Sequence, residues 1–211
     1  MQISPDNFRN IIFDLGGVIL EIDPQLSLKA FVDLGFNNFE EIFNKFVSDN
    51  LFYEFEKGQM SEKNFRDHIR SFTTDKLTDK EIDSAWNAMI LGFPSERIDL
   101  LKKLNKTHRT FLLSNTNSIH WKYYFGILKK EFGMEDLSGV FEKEYYSHRM
   151  GKRKPGTEIF EFVLASENLV PEETLFIDDT LINIEDARKT GIVSYLLKEN
   201  ETINNIFDGF V

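Results

Sequence analysis

The sequence predicts an α/β protein: a Rossmann-like parallel-sheet core with an inserted all-helical cap. Three observations predict it. Short apolar runs at residues 10–15, 110–114, 174–178 and 192–197 read as strands, and the first three end in acids, glycines or Ser-Asn. From residue 91 onward such runs alternate with helical stretches, which implies right-handed crossovers and a parallel sheet. Between the first run and that alternation, helical periodicity continues without a clear strand over a span far longer than an ordinary connection. The expected domains are residues 1–20 plus 91–211 for the core and residues 21–90 for the cap.

Taken in order, the first run, NIIFDL, is continuously apolar, as suits a strand buried on both faces. In NNFEEIFNKFV, Phe39, Ile42, Phe43, Phe46 and Val47 recur at helical spacing, with Asn38 and Glu41 as a capping pair. Gly58 closes a helix built on LFYEFEK, and Ser61 opens the next, SEKNFRDHIRSF. Thr78 and Glu81 form a second S/T-x-x-E box before Ile82, Ala85, Trp86 and Met89. SERIDLLKKLN is a helix, TFLLS a strand, residues 121–132 a helix, and GVFEKEYYS holds a short strand. PGTEIFEFVLASEN is a helix with Pro155 in its first turn. TLFID is a strand, TLINIEDARKT a helix ended by Gly191, and IVSYLL the last strand.

Composition excludes several classes. A chain of 211 residues, 41% hydrophobic and 28% charged, is an ordinary soluble globular protein with one large domain or one domain plus an insertion. A net charge of −10 repels a phosphate backbone, so nucleic acid is not an expected partner. No cysteine is present, which removes disulfides and Cys-ligated zinc. The start, MQISPDNFRN, is polar, and no apolar run nears the roughly 18 residues that span a bilayer, so the expected setting is cytoplasmic, away from membranes. The 21 Phe are expected to fill cores. His68, His108, His120 and His148 have no metal-binding spacing, although His120 follows SNTNSI closely enough to face a cleft. The sequence carries no signature of an oligomeric state.

Ligands of open parallel sheets bind beyond the carboxyl ends of the strands. The first strand there carries Asp14, the second Ser114 and Asn115, and the last but one Asp178 and Asp179. The loop before Pro155 adds Lys152, Arg153 and Lys154. Each group has a structural reading of its own: Asp14 as a turn cap before Gly16-Gly17, Ser114-Asn115 as a polar turn, Asp178-Asp179 as a helix cap. Their convergence on one edge favours chemistry.

On these residues the chain resembles the haloacid dehalogenase superfamily, over essentially its whole length. FDLGGVI resembles the first motif, with Asp14 as nucleophile, and LLSNTN the second, with Ser114 and Asn115 at the phosphoryl group. GKRKPGTEIF is similar to the third, with Lys154 as the cation, and Lys152 and Arg153 as its solvated neighbours. FIDDTLINIEDARKTGI is similar to the fourth, an acidic metal-binding pair followed by Asn183, which holds the loop. The resemblance implies a Mg²⁺ ion held by Asp14, the backbone carbonyl of Gly16 and Asp179, with Asp178 acting behind them or through water. The helical insertion resembles the family's type 1 cap, where Gly58 either faces substrate or simply ends a helix. The implied activity is a Mg²⁺-dependent phosphatase that hydrolyses a small phosphorylated metabolite, such as a sugar phosphate, through an aspartyl-phosphate on Asp14. Charge argues the same way: a carboxylate nucleophile repels a phosphoryl group unless a cation intervenes.

Gly16 departs from the common Asp-x-Asp form of the first motif, so the side-chain general acid is absent. That acid is typically worth about 10²–10⁴-fold. A metal-independent 2-haloacid dehalogenase also lacks it, yet such enzymes carry an aromatic residue where Leu15 stands and have no acidic pair like Asp178-Asp179. A non-catalytic protein binding a phospholigand or a partner is the other alternative.

Overall fold

The computed structural model describes residues 7–36 and 38–207, so the polar start at residues 1–6 lies outside the described residues. In chain order the elements begin β1 (Asn10–Phe13), β2 (Glu21–Ile22), α1 (Pro24–Asp33), α2 (Phe39–Ser48), α3 (Leu51–Glu56), α4 (Glu62–Arg70), α5 (Asp79–Asn87) and β3 (Ile90–Gly92). They continue α6 (Ser95–Leu104), β4 (Arg109–Ser114), α7 (Ser118–Phe132), β5 (Lys143–Tyr146), α8 (Ser147–Met150), α9 (Thr157–Glu167), β6 (Thr174–Asp178), α10 (Leu181–Lys189), β7 (Val193–Leu196) and α11 (Ile203–Ile206).

Five strands form one parallel sheet in the order β5-β4-β1-β6-β7. β1 is central because both of its faces are apolar, and it is buried along its whole length. Ile11 and Phe13 point into one core layer with Leu112, Leu175, Leu101 and Leu128. Ile12, between them, points into the opposite layer with Phe111, Phe176, Phe160 and Ile184. This two-sided burial is what a crossover-covered parallel sheet requires.

Helices α1 to α5 form a third cluster around Phe31, Phe39, Phe46, Phe55, Phe65 and Trp86. Much of the phenylalanine content is explained here. Phe31 stacks on Phe39 at 3.8 Å and Phe55 on Phe65 at 4.4 Å, both nearly parallel. Ile119 of α7 belongs to the same cluster, so the helical layer is packed on the α/β layer. At Gly58, where φ is +68°, a Cβ would lie 2.1 Å from the His148 carbonyl oxygen. This glycine therefore serves close backbone approach between the layers, and it is absent from the wall of the central cavity described below.

Several local expectations need correction. The segment between the first strand and α6 is not purely helical: β2 and β3 pair antiparallel, with an irregular register at Glu21/Ile22. Strands of two and three residues are too short for period-two alternation to show in a sequence. Thr78 and Glu81 do form a complete capping box, and the Ser61 side chain accepts from Asn64 N. Asn38 does not cap with its side chain; its ψ of 32° turns it from the extended geometry a cap needs, and only its carbonyl accepts, from Glu41 N and Ile42 N. Pro155 is not in the first turn of α9, which starts at Thr157 after Gly156 at φ +137°. The helix at residues 121–132 starts three residues earlier, because Asn117 Oδ1 accepts from Ile119 N and His120 N.

The stacked aromatic cluster gives a direct test. Phe65→Ala removes a fully buried ring, and urea denaturation is expected to show a loss of about 3–5 kcal/mol. A loss below about 1 kcal/mol would mean that the helical layer has no packed core.

Candidate active site

The site begins with strand register. Phe13 pairs with Leu112 on one side and with Ile177 on the other. The residues that follow therefore leave the sheet at one level, and Asp14 N donates to Ile177 O at 2.9 Å. Beyond Asp14 the chain folds tightly, with Leu20 N donating to Leu15 O at 2.8 Å and Gly17 N to Leu20 O at 2.9 Å. Gly17 has φ +74°, and a Cβ there would meet Asp179 Oδ2 at 2.1 Å. Asp179 thus occupies space that only glycine leaves free. Gly16 is roomier: a Cβ would touch only the terminal methyl of Ile22, at 3.1 Å.

Lys154 is the centre of the polar network, with 1% exposure. Its Nζ donates to Asp14 Oδ1 at 2.6 Å, Asp178 Oδ2 at 2.7 Å and Leu113 O at 2.8 Å. All three ammonium donors are therefore used. The Asn115 side chain clamps the same residue: Nδ2 donates to Lys154 O at 2.7 Å and Oδ1 accepts from Lys154 N at 2.9 Å. Asp178, fully buried, also accepts from Thr180 N and twice from Asn183 Nδ2. Asn183 thus braces a carboxylate. Ser114 sits buried at the end of β4, with its hydroxyl 3.4 Å from Asn115 O.

Oxygens of Asp14, Asp178 and Asp179 lie within 4.8 Å of one another. Three carboxylates against one ammonium leave the cluster short of positive charge. Burial pushes Asp14 up to about 7 despite the attraction of Lys154, and the neighbouring Asp178 and Asp179 add to the rise. Burial also raises Asp179, again helped by Asp178. Burial alone would lower Lys154, but Asp14 and Asp178 outweigh it and hold the ammonium charged. The set is all oxygen, compact and electron-rich, and Gly17 leaves room for Asp179 to join it. These features fit Mg²⁺.

Asp14 and Asp179 form part of the wall of a cavity of about 510 Å³, whereas Asp178 does not. The core also contributes Gly16, Asn115, Thr116, Asn117, His120 and Lys154. The cap contributes mainly apolar groups, among them Leu28, Phe39, Phe43, Phe52, Trp86 and Met89. His120 does face the cleft. Its Nε2 lies 3.1 Å from Trp86 O and its Nδ1 3.2 Å from Asn117 Nδ2, and its ring stacks on Trp86. Burial drives its pKa down to about 4, so it is a neutral, fixed part of the wall.

Of Lys152 and Arg153, both read as solvated, only Arg153 proves otherwise. Arg153 donates to Glu56 Oε2 at 2.8 Å and lies 4.3 Å over the Tyr53 ring. Glu56, on a cap helix, is 7% exposed and lines the cavity. Lys152 is exposed. A lone Glu in LFYEFEK carries no sequence signal of burial, because its Arg partner is 97 residues away. The cap's aromatic lining was equally hidden, since Phe43 and Phe52 have the same helical spacing as core residues.

Comparison with known proteins gives consistent findings. A family model described as haloacid dehalogenase-like hydrolase matches residues 8–191. A D-ribitol-5-phosphate phosphatase of Bacteroides thetaiotaomicron is 33% identical over 193 residues, covering 89% of this chain and 90% of that protein. A crystal structure of a HAD family enzyme of the same organism, in complex with magnesium and inorganic phosphate, superposes with a TM-score of 0.86. It is 37% identical and covers 95% of this chain and 99% of that one. A HAD-like family hydrolase of Porphyromonas gingivalis gives a TM-score of 0.79 at 33% identity, covering 90% of each chain.

The electrostatics predict a proton-coupled metal site. A carboxyl raised from 3.8 to about 7 keeps its proton in the folded state where the unfolded chain would release it. Its contribution to the stability of the metal-free protein therefore falls as pH rises through that window. Mg²⁺ needs the ionised form, so calorimetric titration is expected to show roughly tenfold tighter Mg²⁺ binding at pH 8 than at pH 6, with proton release at pH 6. Equal affinity at both values would refute the coupling.

Proposed function

Because the chain belongs to the haloacid dehalogenase-like hydrolases, we propose that Asp14 is the nucleophile of a Mg²⁺-dependent phosphatase acting on a small phosphorylated metabolite. The enzyme is a phosphoric monoester hydrolase, and a sugar or sugar-alcohol phosphate is the substrate kind favoured by its relationship to the ribitol-phosphate enzyme. The observation that carries the reading is Asp14, half-buried at the floor of a cavity, held at 2.6 Å by Lys154 and flanked by Asp179. The acidic pair favours this over metal-free dehalogenation, because two further carboxylates would repel a carboxylate substrate. The chain divides at the β2–β3 ribbon into a core of residues 1–20 and 91–211 and a cap of residues 21–90. Among the described residues no helix is long and apolar enough to cross a membrane, and we place the enzyme in the cytoplasm.

Asp14, the Gly16 carbonyl and Asp179 would hold Mg²⁺, with Asp178 behind them bracing Lys154; once bound, the ion neutralises phosphoryl charge and screens it from Asp14. Lys154 orients the Asp14 carboxylate and places a second positive charge beside the transferring group. A carboxylate oxygen of Asp14 attacks phosphorus as the bond from phosphorus to the alcohol oxygen breaks, giving an aspartyl-phosphate and an alkoxide that takes its proton from water. Water then attacks that phosphorus, releasing inorganic phosphate and restoring the carboxylate. Ser114, buried and outside the cavity wall in this structure, would turn its Oγ from Asn115 O to donate to a phosphoryl oxygen. Asn115 contributes through its backbone and by fixing Lys154, since its side chain is already spent on that residue. The cap closes over the site and excludes water.

Phosphate release from nitrophenyl phosphate and from sugar phosphates is expected to require Mg²⁺ and to vanish with chelator or in Asp14→Asn. Lys154→Met is expected to lower kcat by about 10²–10³-fold. Release of halide from a 2-haloacid without metal, or phosphate release that survives Asp14→Asn, would overturn the assignment.

The missing acid at Gly16 has its own signature. Across substituted phenyl phosphates of similar bulk, log kcat is expected to rise steeply as the phenol becomes more acidic, and Gly16→Asp to flatten that slope. A flat wild-type slope would show that another group protonates the leaving oxygen.

A further inference from the structure

Two charged side chains in the cavity wall, Glu40 and Glu56, have no role in the phosphoryl chemistry, and of these Glu40 is exposed. Glu56 lies at the end of α3 and is the buried carboxylate that the cap contributes to the cavity. The rest of the cap wall is mainly apolar and aromatic, with Phe39, Phe43, Phe52 and Trp86, and its other polar groups are Ser27 and the exposed Glu40 and Asn44. Isolating a carboxylate there is costly unless it is paired, and Arg153 supplies the pair through Nε to Oε2 at 2.8 Å. Among the described residues this is the one hydrogen bond that Glu56 accepts. An ionised carboxylate accepts about four, so Glu56 has spare acceptor capacity in the cavity wall.

A simple latch between cap and core explains this poorly. Arg153 already lies on the Tyr53 ring at 4.3 Å, so it is seated on α3 without Glu56. A latch also gains nothing from placing its acid in the cavity wall. Spare acceptor capacity in an apolar wall is the arrangement by which pockets fix a ligand's orientation with few polar groups.

We propose that Glu56, held by Arg153, is the specificity-determining acceptor for a hydroxyl group on the substrate's alcohol portion. The substrate is then a phosphomonoester of a polyhydroxy alcohol. One hydroxyl donates to Glu56 while the carbon backbone lies along the aromatic wall. Arg153 is a positioning residue: it fixes the carboxylate and, as the neighbour of Lys154, sets its height above the phosphoryl site. The inference rests on the phosphatase reading above and narrows it to this alcohol class.

The test compares two phosphomonoesters of equal chain length, a pentitol phosphate and pentyl phosphate, with nitrophenyl phosphate as reference, all at saturating Mg²⁺. Wild type is expected to prefer the pentitol ester by roughly 10- to 100-fold in kcat/KM, chiefly through KM, the span of one hydrogen bond to a charged group. Glu56→Gln, which keeps the shape of the side chain, is expected to shrink that ratio about tenfold or more. A ratio unchanged in Glu56→Gln, with all three substrates slowed alike, would make Glu56 a structural latch and overturn the proposal. So would a wild-type ratio near one, a result that does not depend on any variant folding. Absence of Mg²⁺-dependent release from nitrophenyl phosphate as well would instead sink the phosphatase reading, and the proposal with it.

Discussion

The buried ammonium of Lys154 is the interaction on which the rest of the site depends. Taking a lysine out of water costs several kcal/mol, and the cost is offset only where every donor is matched and opposite charge is near. Here both conditions hold, through Asp14, Asp178 and the Leu113 carbonyl. The three partners come from the residue just after β1, from β6 and from β4, three adjacent strands of one parallel sheet. Strand order therefore matters to the chemistry. Were β1 at an edge, Leu113 O and Asp178 could not flank Asp14 from its two sides.

The same network divides labour between neighbouring acids. Asp178 has its oxygens engaged by Lys154, Asn183 and Thr180 N, and it is closed to solvent. Asp179, one residue on, points into the cavity and nests against Gly17. Alternation along the strand end sends one carboxylate inward to hold the cation of the protein and the other outward. Glycine at position 17 is the price of that proximity, and it explains half of the Gly16-Gly17 pair on steric grounds alone. Gly16 is different. Its neighbourhood would admit a side chain at the expense of one methyl group of Ile22, so space alone does not dictate its lack of a carboxylate.

Much of this was legible in the sequence, for identifiable reasons. Continuous apolar runs such as NIIF and TFLLS announce two-sided burial, and acids directly after them have few purely structural explanations. The carboxyl-end rule then places Asp14, Ser114, Asp178 and Asp179 together without coordinates. Local capping was partly legible: Thr78 with Glu81 behaves as its spacing suggests, whereas Asn38 does not, because spacing alone does not fix ψ. Pairings across long sequence separations were invisible. The ribbon of β2 and β3 is too short to have a period, and Glu56 with Arg153 is a contact between layers that no local pattern encodes. The aromatic wall is hidden for a related reason: Phe39 and Phe46 have the same helical period, yet only Phe39 borders the cavity.

These two kinds of residue follow different physical rules. The groups at the strand ends are constrained by a fixed charge balance around one phosphoryl group, so their types are dictated and a sequence can betray them. The groups of the cap face a ligand whose shape is free to differ, so their types are dictated only by packing until one of them breaks the packing rule. Glu56 is that break. A carboxylate among phenylalanines is unfavourable on the cap's own terms, and Arg153 compensates only part of its hydrogen-bonding capacity. A residue that departs from local packing while its neighbours obey it points to a demand from outside the fold, and the cavity it borders is where that demand arises.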